Sequence, residues 1–312
     1  MPTPAISVVM PCYNAAGTLR ETLASLQAQT LEDWELIAVD DGSTDRTGDL
    51  LVEAADDEPR IRVLRLPNGG PSRARNVGVL GLARSPLIAF LDADDLCRSQ
   101  RLARLVDHFA NHPDCAAAYA RVSFFRTHPD QPDTTSAVRR HPLDASVLLG
   151  ENPVCTTSNL AMRRHVFSAL GGFDEHLAHH EDVDLLLRLA ASGGRIEGID
   201  EVLVDYRMSE HGLSADLDAM RAGWRSTLES FAAYAPIDRA IGRRAEAIHL
   251  RYLARRALRT QADPRLARRL ALQGLRRSPA AFFDIPRRGA LTLGGSLVAP
   301  LLPARLRHRL FA

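Results

Sequence analysis

The first two hundred residues alternate short apolar runs with segments in which apolar residues recur at helical spacing. The apolar runs lie at residues 6–10, 34–39, 61–66 and 86–91, and helical patterns at 18–29, 45–55 and 73–83 separate them. Strands that are apolar on both faces are typical of a parallel sheet covered by helices on both sides. The pattern therefore predicts an α/β fold whose sheet is mostly parallel.

The alternation is looser after residue 95. It predicts a helix at 99–110, strands at 116–120 and 122–125, and a polar, proline-rich surface loop at 127–142. Helical patterns follow at 163–170 and 181–191, with strand-like stretches at 195–199 and 202–206. From about Asp216 the patterns are helical, so we expect an α/β domain over 1–214 and a helical region over 215–312.

The composition excludes several enzyme classes. The chain contains no lysine, so all 39 of its basic residues are arginines. A Walker-type phosphate lysine, a Schiff base with pyridoxal phosphate and a catalytic lysine are therefore excluded.

The charge is divided unevenly along the chain. Residues 1–214 carry 20 arginines against 31 acidic residues, whereas residues 215–312 carry 19 arginines against seven acidic residues. This asymmetry predicts two parts with different tasks.

The sequence favours a cytoplasmic location. No run of eighteen apolar residues occurs, and the N-terminus enters a strand-like segment without a basic region or a cleavage site. The four cysteines are scattered without the paired spacing of a zinc or redox motif, which indicates idle thiols in a reducing compartment.

Polar residues follow each of the first four predicted strands. The segments are Pro11 to Asn14, Asp40 to Asp45, Asn68 to Asn76 and Asp92 to Asp95. In an open parallel sheet, ligands bind beyond the carboxyl ends of the strands. We therefore expect these four segments to form a ligand site.

The segment 92–95 contains three aspartates in four residues. Asp92 and Asp94 lie two apart and can face the same side of an extended backbone, where a hard divalent cation would offset their repulsion. The alternative is an aspartate-rich turn that caps the helix beginning near Ser99.

The other strand-end segments also allow two interpretations. Asp40 and Asp41 can accept hydrogen bonds from a nucleotide's ring or ribose, or they can belong to a turn capped by Ser43, Thr44 or Asp45. Arg73, Arg75 and Asn76 follow a glycine-rich turn and can face a diphosphate, although helix-surface arginines are usually solvated.

The ordered set of motifs resembles family 2 glycosyltransferases. It comprises residues 7–14 (SVVMPCYN), 39–45 (VDDGSTD), 90–95 (FLDADD) and 171–175 (GGFDE), followed by Glu181-Asp182. The resemblance covers about residues 5–214. It implies a GT-A fold, a nucleotide-sugar donor with a UDP-sugar favoured, a divalent metal (Mn²⁺ or Mg²⁺) and inversion at the anomeric carbon.

The resemblance, together with the strand-end residues above, gives the expected site. Donor-binding residues are Pro11, Tyr13, Asn14, Asp40, Asp41, Arg73, Asn76, Asp92 and Ala93. Metal ligands are Asp92, Asp94 and Asp95. Asp182 matches the usual place of the catalytic base, although a helix N-cap explains an aspartate there equally well. Weaker acceptor contacts are Asp174, Glu181, Arg207 and His211.

Two departures from the family pattern bear on the reaction. Tyr206-Arg207-Met208-Ser209 stands where many members carry Tyr-Arg-x-His, and His211 is displaced. The Gln-x-x-Arg-Trp element of processive, membrane-embedded relatives is missing from the sequence. We therefore expect transfer of one sugar to a saccharide or lipid-linked acceptor.

Other interpretations of the sequence lead to different functions. A catalytically degenerate scaffold or binding subunit would keep the fold without turnover. A sugar-1-phosphate nucleotidyltransferase would need a glycine-rich, arginine-containing loop after the first strand and a lysine.

The basic region 215–312 forms either a solvated helical face or a peripheral contact with anionic lipid at the inner face of the cytoplasmic membrane. No nucleic-acid partner is expected, since interleaved aromatic residues are lacking.

Overall fold

The computed structural model describes residues 3–177, 180–208, 224, 227–229, 231, 232, 234–259 and 263–311. These residues divide into two compact units. The first contains residues up to 143 together with 153–210, and the second contains residues 144–152 together with the chain after 210.

The first unit is built on one sheet of nine strands. The strands are β1 (Ile6–Cys12), β2 (Trp34–Asp40), β3 (Ile61–Arg65), β4 (Leu87–Phe90), β5 (Leu96–Cys97), β6 (Cys115–Phe125), β7 (Thr134–Thr135), β8 (Leu160–Arg163) and β9 (Arg195–Arg207). Their order is β3-β2-β1-β4-β8-β6-β9-β5, with β7 beside β6. The pairs among β1, β2, β3 and β4 are parallel, as is β6 with β9, whereas β8 runs antiparallel to both β4 and β6.

Helices of the first unit lie between the strands. They are α1 (Leu19–Gln27), α2 (Thr47–Asp57), α3 (Pro71–Val77), α4 (Arg101–Asn111), α6 (Arg164–Ala169) and α7 (Glu181–Ala191). A π-helical turn, Gly78–Leu82, continues α3. α1 buries Leu19, Leu23 and Leu26 in the same core as the apolar side chains of β1 and β2. This confirms the predicted alternation of strand and helix.

The second half of the sheet differs in detail from the prediction. β6 and β9 are long strands, where the pattern predicted two short strands in each place. Their pairing shifts register on both sides of Arg121, which is where the prediction placed the break between strands. An irregular residue in a long strand interrupts the period-2 pattern without ending the strand.

The segment 144–152 lies in the second unit. It contains α5 (Ala145–Leu148) and precedes in sequence the other helices of this unit: α8 (Arg239–Arg259), α9 (Pro264–Arg277), α10 (Pro279–Phe282), α11 (Pro286–Val298) and α12 (Ala304–Phe311). Arg251 of α8 is completely buried and forms ion pairs with Glu151 and Asp284. Because a buried guanidinium requires partners, these contacts explain why 144–152 packs with the helices.

Candidate functional site

A cleft of about 680 Å³ opens where β1, β2 and β4 end. Seven of the predicted site residues line it: Pro11, Tyr13, Asn14, Asp41, Asp92, Ala93 and Asp94. Other lining residues are Cys12, Ala15, Thr18, Asn68, Gly70, Pro71 and Arg75. The parallel arrangement of the strands brings their carboxyl ends together at one edge, which places these loops side by side.

Asp92 and Asp94 form the acidic wall of the cleft. The Asp92 N–H donates to the Ser158 hydroxyl at 2.9 Å, which fixes the backbone where β4 ends. Burial, with the negative charge of Asp92 as a second cause, raises the pKa of the Asp94 carboxyl. Both causes disfavour the charged form of the Asp94 carboxyl.

Asp95 is placed differently from its two neighbours. Its side chain is buried, and one carboxylate oxygen accepts a hydrogen bond from the Arg207 backbone N–H at 3.0 Å. Burial, followed by the charges of Asp94 and Asp92, raises the pKa of Asp95 well above its ordinary value. Arg207 also donates through Nε to the Asp94 carbonyl. Asp95 and Arg207 thus brace the turn from outside the cleft lining.

Arg75 links the acidic wall to α7. Its guanidinium donates to Asp92 Oδ1 at 2.6 Å and to Glu181 Oε1 at 3.1 Å. Only 5% of the Arg75 side chain is exposed, so the two carboxylates supply the charge compensation that water cannot. The sequence suggested that Arg75 faces a diphosphate; the structure places it in the cleft lining with both carboxylates as partners.

The opposite wall is organised by backbone hydrogen bonds to Asp41 and Asn14. Both carboxylate oxygens of Asp41 accept from the glycine turn, from Gly69 N–H at 2.9 Å and Gly70 N–H at 2.8 Å. Asn14 adopts a left-handed conformation, and its side-chain oxygen accepts from Thr44 N–H. These bonds hold the loop that presents Tyr13, whose side chain is 53% exposed.

Three predicted donor-binding residues lie outside the cleft lining. Asp40 is buried and accepts from Ser43 N–H at 3.0 Å. Asn76 is buried and bonds to Phe173 and Glu175 through its amide. Arg73 donates to the Pro67 carbonyl at the exposed surface. Their contacts indicate that they shape the loops, and direct donor binding by them stays a prediction.

Asp182 lies in the first turn of α7, next to the Glu181 that pairs with Arg75. It is half-buried, and one of its oxygens accepts from the Val183 N–H at 2.8 Å. Asp174 accepts from the His176 N–H at 2.9 Å, the main cause of its lowered pKa. The predicted contact His211 lies outside the described residues.

The residues of the acidic wall fit a hard divalent cation. Mg²⁺ and Mn²⁺ prefer carboxylate oxygens, and Asp92 and Asp94 offer such oxygens in the cleft lining. Burial and the charge of Asp92 raise the pKa of Asp94 although Arg207 and Arg75 both oppose the rise, so a cation beside this carboxyl would favour its charged form. Asp92 and Asp94 would be the ligands that hold such an ion.

The chain resembles known proteins over most of its length. Residues 7–171 match the family model Glycosyl transferase family 2. The uncharacterized glycosyltransferase EpsJ of Bacillus subtilis is 31% identical over 218 residues, covering 68% of this chain and 63% of EpsJ. The succinoglycan biosynthesis protein ExoU of Rhizobium meliloti is 31% identical over 203 residues, covering 61% of this chain and 58% of ExoU. The chain thus spans about three fifths of the length of these two relatives.

Solved structures confirm the expected GT-A fold. S. aureus TarS 1-349 in complex with UDP-GlcNAc superposes with a TM-score of 0.56 at 18% identity, covering 97% of this chain and 88% of that one. The mannosyltransferase PcManGT of Pyrobaculum calidifontis, in complex with GDP-Man and Mn²⁺, gives a TM-score of 0.55 at 20% identity, covering 99% and 84%.

Replacing Arg75 by methionine should destabilise the protein by about 2–4 kcal/mol, because Asp92 and Glu181 lose their shared partner. This loss of stability is smaller than that expected for breaking a fully buried ion pair, since 26% of the Asp92 side chain is exposed. Arg73→Met on the same helix is the matched control and should change stability by no more than about 0.5 kcal/mol. Urea unfolding followed by circular dichroism measures both variants, and equal losses would contradict the bridging role of Arg75.

Proposed function

The chain belongs to glycosyl transferase family 2, and from this premise we propose that it transfers one sugar from a nucleotide-diphosphate sugar, with a UDP-sugar favoured, to a saccharide or lipid-linked acceptor. We propose further that the transfer inverts the anomeric carbon and uses a divalent metal. The observation that carries the proposal is the cleft at the strand ends, with Tyr13 and Asp41 on one wall and Asp92 and Asp94 on the other.

The cleft has the dimensions and chemistry that a nucleotide sugar requires. Its volume of about 680 Å³ lies within the usual range for ligand sites. The exposed ring of Tyr13 would contact the base, and the Asp41 loop would surround the nucleoside. TarS has been solved with UDP-GlcNAc and PcManGT with GDP-Man and Mn²⁺, so nucleotide sugars occupy this fold in both neighbours.

The leaving group is a nucleoside diphosphate, whose developing charge must be neutralised. Asp92 and Asp94 would hold a divalent ion, whose charge would offset that of the departing diphosphate, so a general acid would not be required. Arg75 keeps Asp92 oriented through their 2.6 Å hydrogen bond. Arg207 and Asp95 hold the turn that carries Asp94.

The remaining chemical need is a base for the acceptor hydroxyl. We assign it to Asp182, whose neighbour Glu181 is fixed to the acidic wall through Arg75. The Asp182 carboxylate would take the hydroxyl proton as the acceptor oxygen attacks the anomeric carbon and the nucleoside diphosphate departs. A positioned base of this kind contributes a factor of about 10²–10⁴ to the rate.

The second unit supports peripheral contact with anionic lipid. Of the ten exposed large apolar side chains in the described chain, six lie near its end: Leu291, Leu297, Val298, Leu301, Leu306 and Leu310. No acidic residue follows Asp284, whereas five arginines do. Exposed apolar residues among arginines suit the boundary between headgroups and acyl chains, where a lipid-linked acceptor would lie. Among the described residues, no helix is long and apolar enough to span a bilayer.

Nucleotide binding tests the proposed donor. UDP, GDP, dTDP and CDP are compared by thermal shift, each with and without Mn²⁺. One nucleotide, expected to be UDP, should raise the melting temperature only with Mn²⁺, and Asp94→Asn should remove the shift because it removes a metal ligand. The exposed Asp200→Asn is the matched control and should keep the shift. No shift with any nucleotide would favour the degenerate-scaffold interpretation, and the assigned roles would be withdrawn.

Asp182→Asn should reduce sugar transfer by about 10²-fold or more, since the amide cannot accept the acceptor's proton. Nucleotide binding in the thermal-shift assay should remain, because Asp182 lies outside the cleft lining. Transfer is measured as nucleoside diphosphate released with the donor that the panel identifies, and Asp200→Asn serves as the control. A variant that retains most of its activity would contradict the assignment of the base.

Lipid contact is tested by flotation with vesicles of phosphatidylglycerol and phosphatidylcholine. The protein should float with the anionic vesicles at low salt and less at high salt, because arginines contribute about 1 kcal/mol each near an anionic surface. Leu301→Ser should weaken flotation, since 81% of this leucine is exposed. Exposed Val52→Ser in the first unit is the control. Absence of salt-sensitive flotation would count against lipid contact.

A further inference from the structure

Three potential metal ligands converge at the end of the sheet opposite the cleft. His108 lies near the end of α4, Cys115 begins β6, and Glu197 lies near the start of β9. One ligand atom from each lies within 4.8 Å of the other two. Because β6 and β9 are parallel, their starting residues lie far along the sheet from Arg207 and the acidic wall.

The three side chains also make contacts within the protein. The Cys115 thiol donates to the Ala117 carbonyl at 3.1 Å, a bond that metal binding would replace. The His108 Nε2 lies 3.3 Å from Glu197 Oε2. Arg195 donates to the other oxygen of Glu197, Oε1, and thereby orients the carboxylate. Metal-binding side chains are commonly oriented by such outer hydrogen bonds. Cys115 is completely buried, while His108 and Glu197 each keep 13% of their side chain exposed, so an ion can enter from solvent.

A second histidine lies near the cluster. His108, His112 and Cys115 form a His-x₃-His-x₂-Cys segment that runs from the end of α4 to the start of β6. His112 stacks on His108 with ring centroids 4.2 Å apart. Its Nδ1 lies 2.9 Å from the His108 carbonyl. This second histidine thus packs against His108 and lies outside the group of three converging ligand atoms.

We propose that His108, Cys115 and Glu197 bind a zinc ion, each through one ligand atom. The ligand charges match the ion, since one thiolate and one carboxylate balance Zn²⁺ and the imidazole is neutral. Binding replaces the proton of the Cys115 thiol, which passes to solvent. An ion here would join α4 to β6 and β9, so its role is structural and separate from donor binding.

The nature of the ligands distinguishes this site from the acidic wall. Thiolate and imidazole prefer zinc, cobalt and similar ions, whereas Asp92 and Asp94 offer only oxygen. Cobalt therefore makes a suitable probe, because a cobalt–thiolate bond gives a near-ultraviolet charge-transfer band that carboxylate ligands do not give.

The test uses the full chain after chelation and dialysis. One equivalent of Co²⁺ should give the thiolate band, and Zn²⁺ but not Mg²⁺ should displace it. Cys115→Ser should abolish the band. Cys155→Ser should keep it; Cys155 is half-buried, whereas the other three cysteines are buried. Asp94→Asn should also keep the band, which separates this site from the proposed donor site.

A second variant guards against misfolding of Cys115→Ser. Glu197→Gln keeps the shape of the side chain and should weaken Zn²⁺ binding by about 10-fold or more, measured by competition with a chelating dye, while circular dichroism shows a folded chain. Zn²⁺ should also raise the melting temperature of the unsubstituted protein more than that of Glu197→Gln. A missing thiolate band in the unsubstituted protein, or a band that persists in Cys115→Ser, would overturn the proposal.

Discussion

The candidate site depends on one buried guanidinium. Arg75 loses nearly all its hydration, and its burial is tolerable only because Asp92 and Glu181 both accept its hydrogen bonds. Asp92 follows β4, Glu181 begins α7 and Arg75 belongs to α3, so a single side chain fixes three elements that are distant in sequence. The proposed metal ligand and the proposed base, Asp182, are therefore held in a common frame before any ligand binds, which is the preorganisation that transfer chemistry requires.

The same ion pairing sets the electrostatics of the cleft. One arginine shared between two carboxylates neutralises only part of the local negative charge, and burial then raises the pKa of Asp94 and, more strongly, of Asp95. Arg207 donates to the Asp95 carboxylate and the Asp94 carbonyl, and the positive charge of its guanidinium opposes part of the rise in the pKa of Asp94. The fold thus keeps an acidic wall at which a divalent cation would offset the charge of the carboxylates. A diphosphate would then offset the remaining positive charge of the cation.

Most elements of the first unit could be predicted because buried parallel strands leave a continuous apolar signal. The grouping of the loops at the strand ends could be predicted from the same parallel topology, and seven of the predicted residues do line one cleft. The Arg75–Glu181 pair could not be predicted. The two residues lie 106 positions apart, and a hydrophobic pattern does not show which of the many acidic residues an arginine contacts. Glu35 shows the same limit: it lies buried within the apolar strand β2, where Ser7 and Arg84 bond to its carboxylate. Asp45, one of the three caps considered for α2, accepts from the N–H of Thr47, the first residue of the helix, at 2.9 Å.

The direction of the strands separates the two candidate cation sites, the acidic wall and the group of His108, Cys115 and Glu197. Divalent zinc binds ligand sets that contain thiolate or imidazole more tightly than manganese or magnesium does, so a hard ion at the proposed donor site is best held by carboxylate oxygens. In this chain the carboxyl ends of the strands carry aspartates, and the group of His108, Cys115 and Glu197 lies where β6 and β9 begin. Strand direction keeps His108, Cys115 and Glu197 apart from Asp92 and Asp94 by the length of the sheet. In our two proposals the aspartates would hold a hard ion for transfer, while the soft ligands at the other end would serve the stability of the fold.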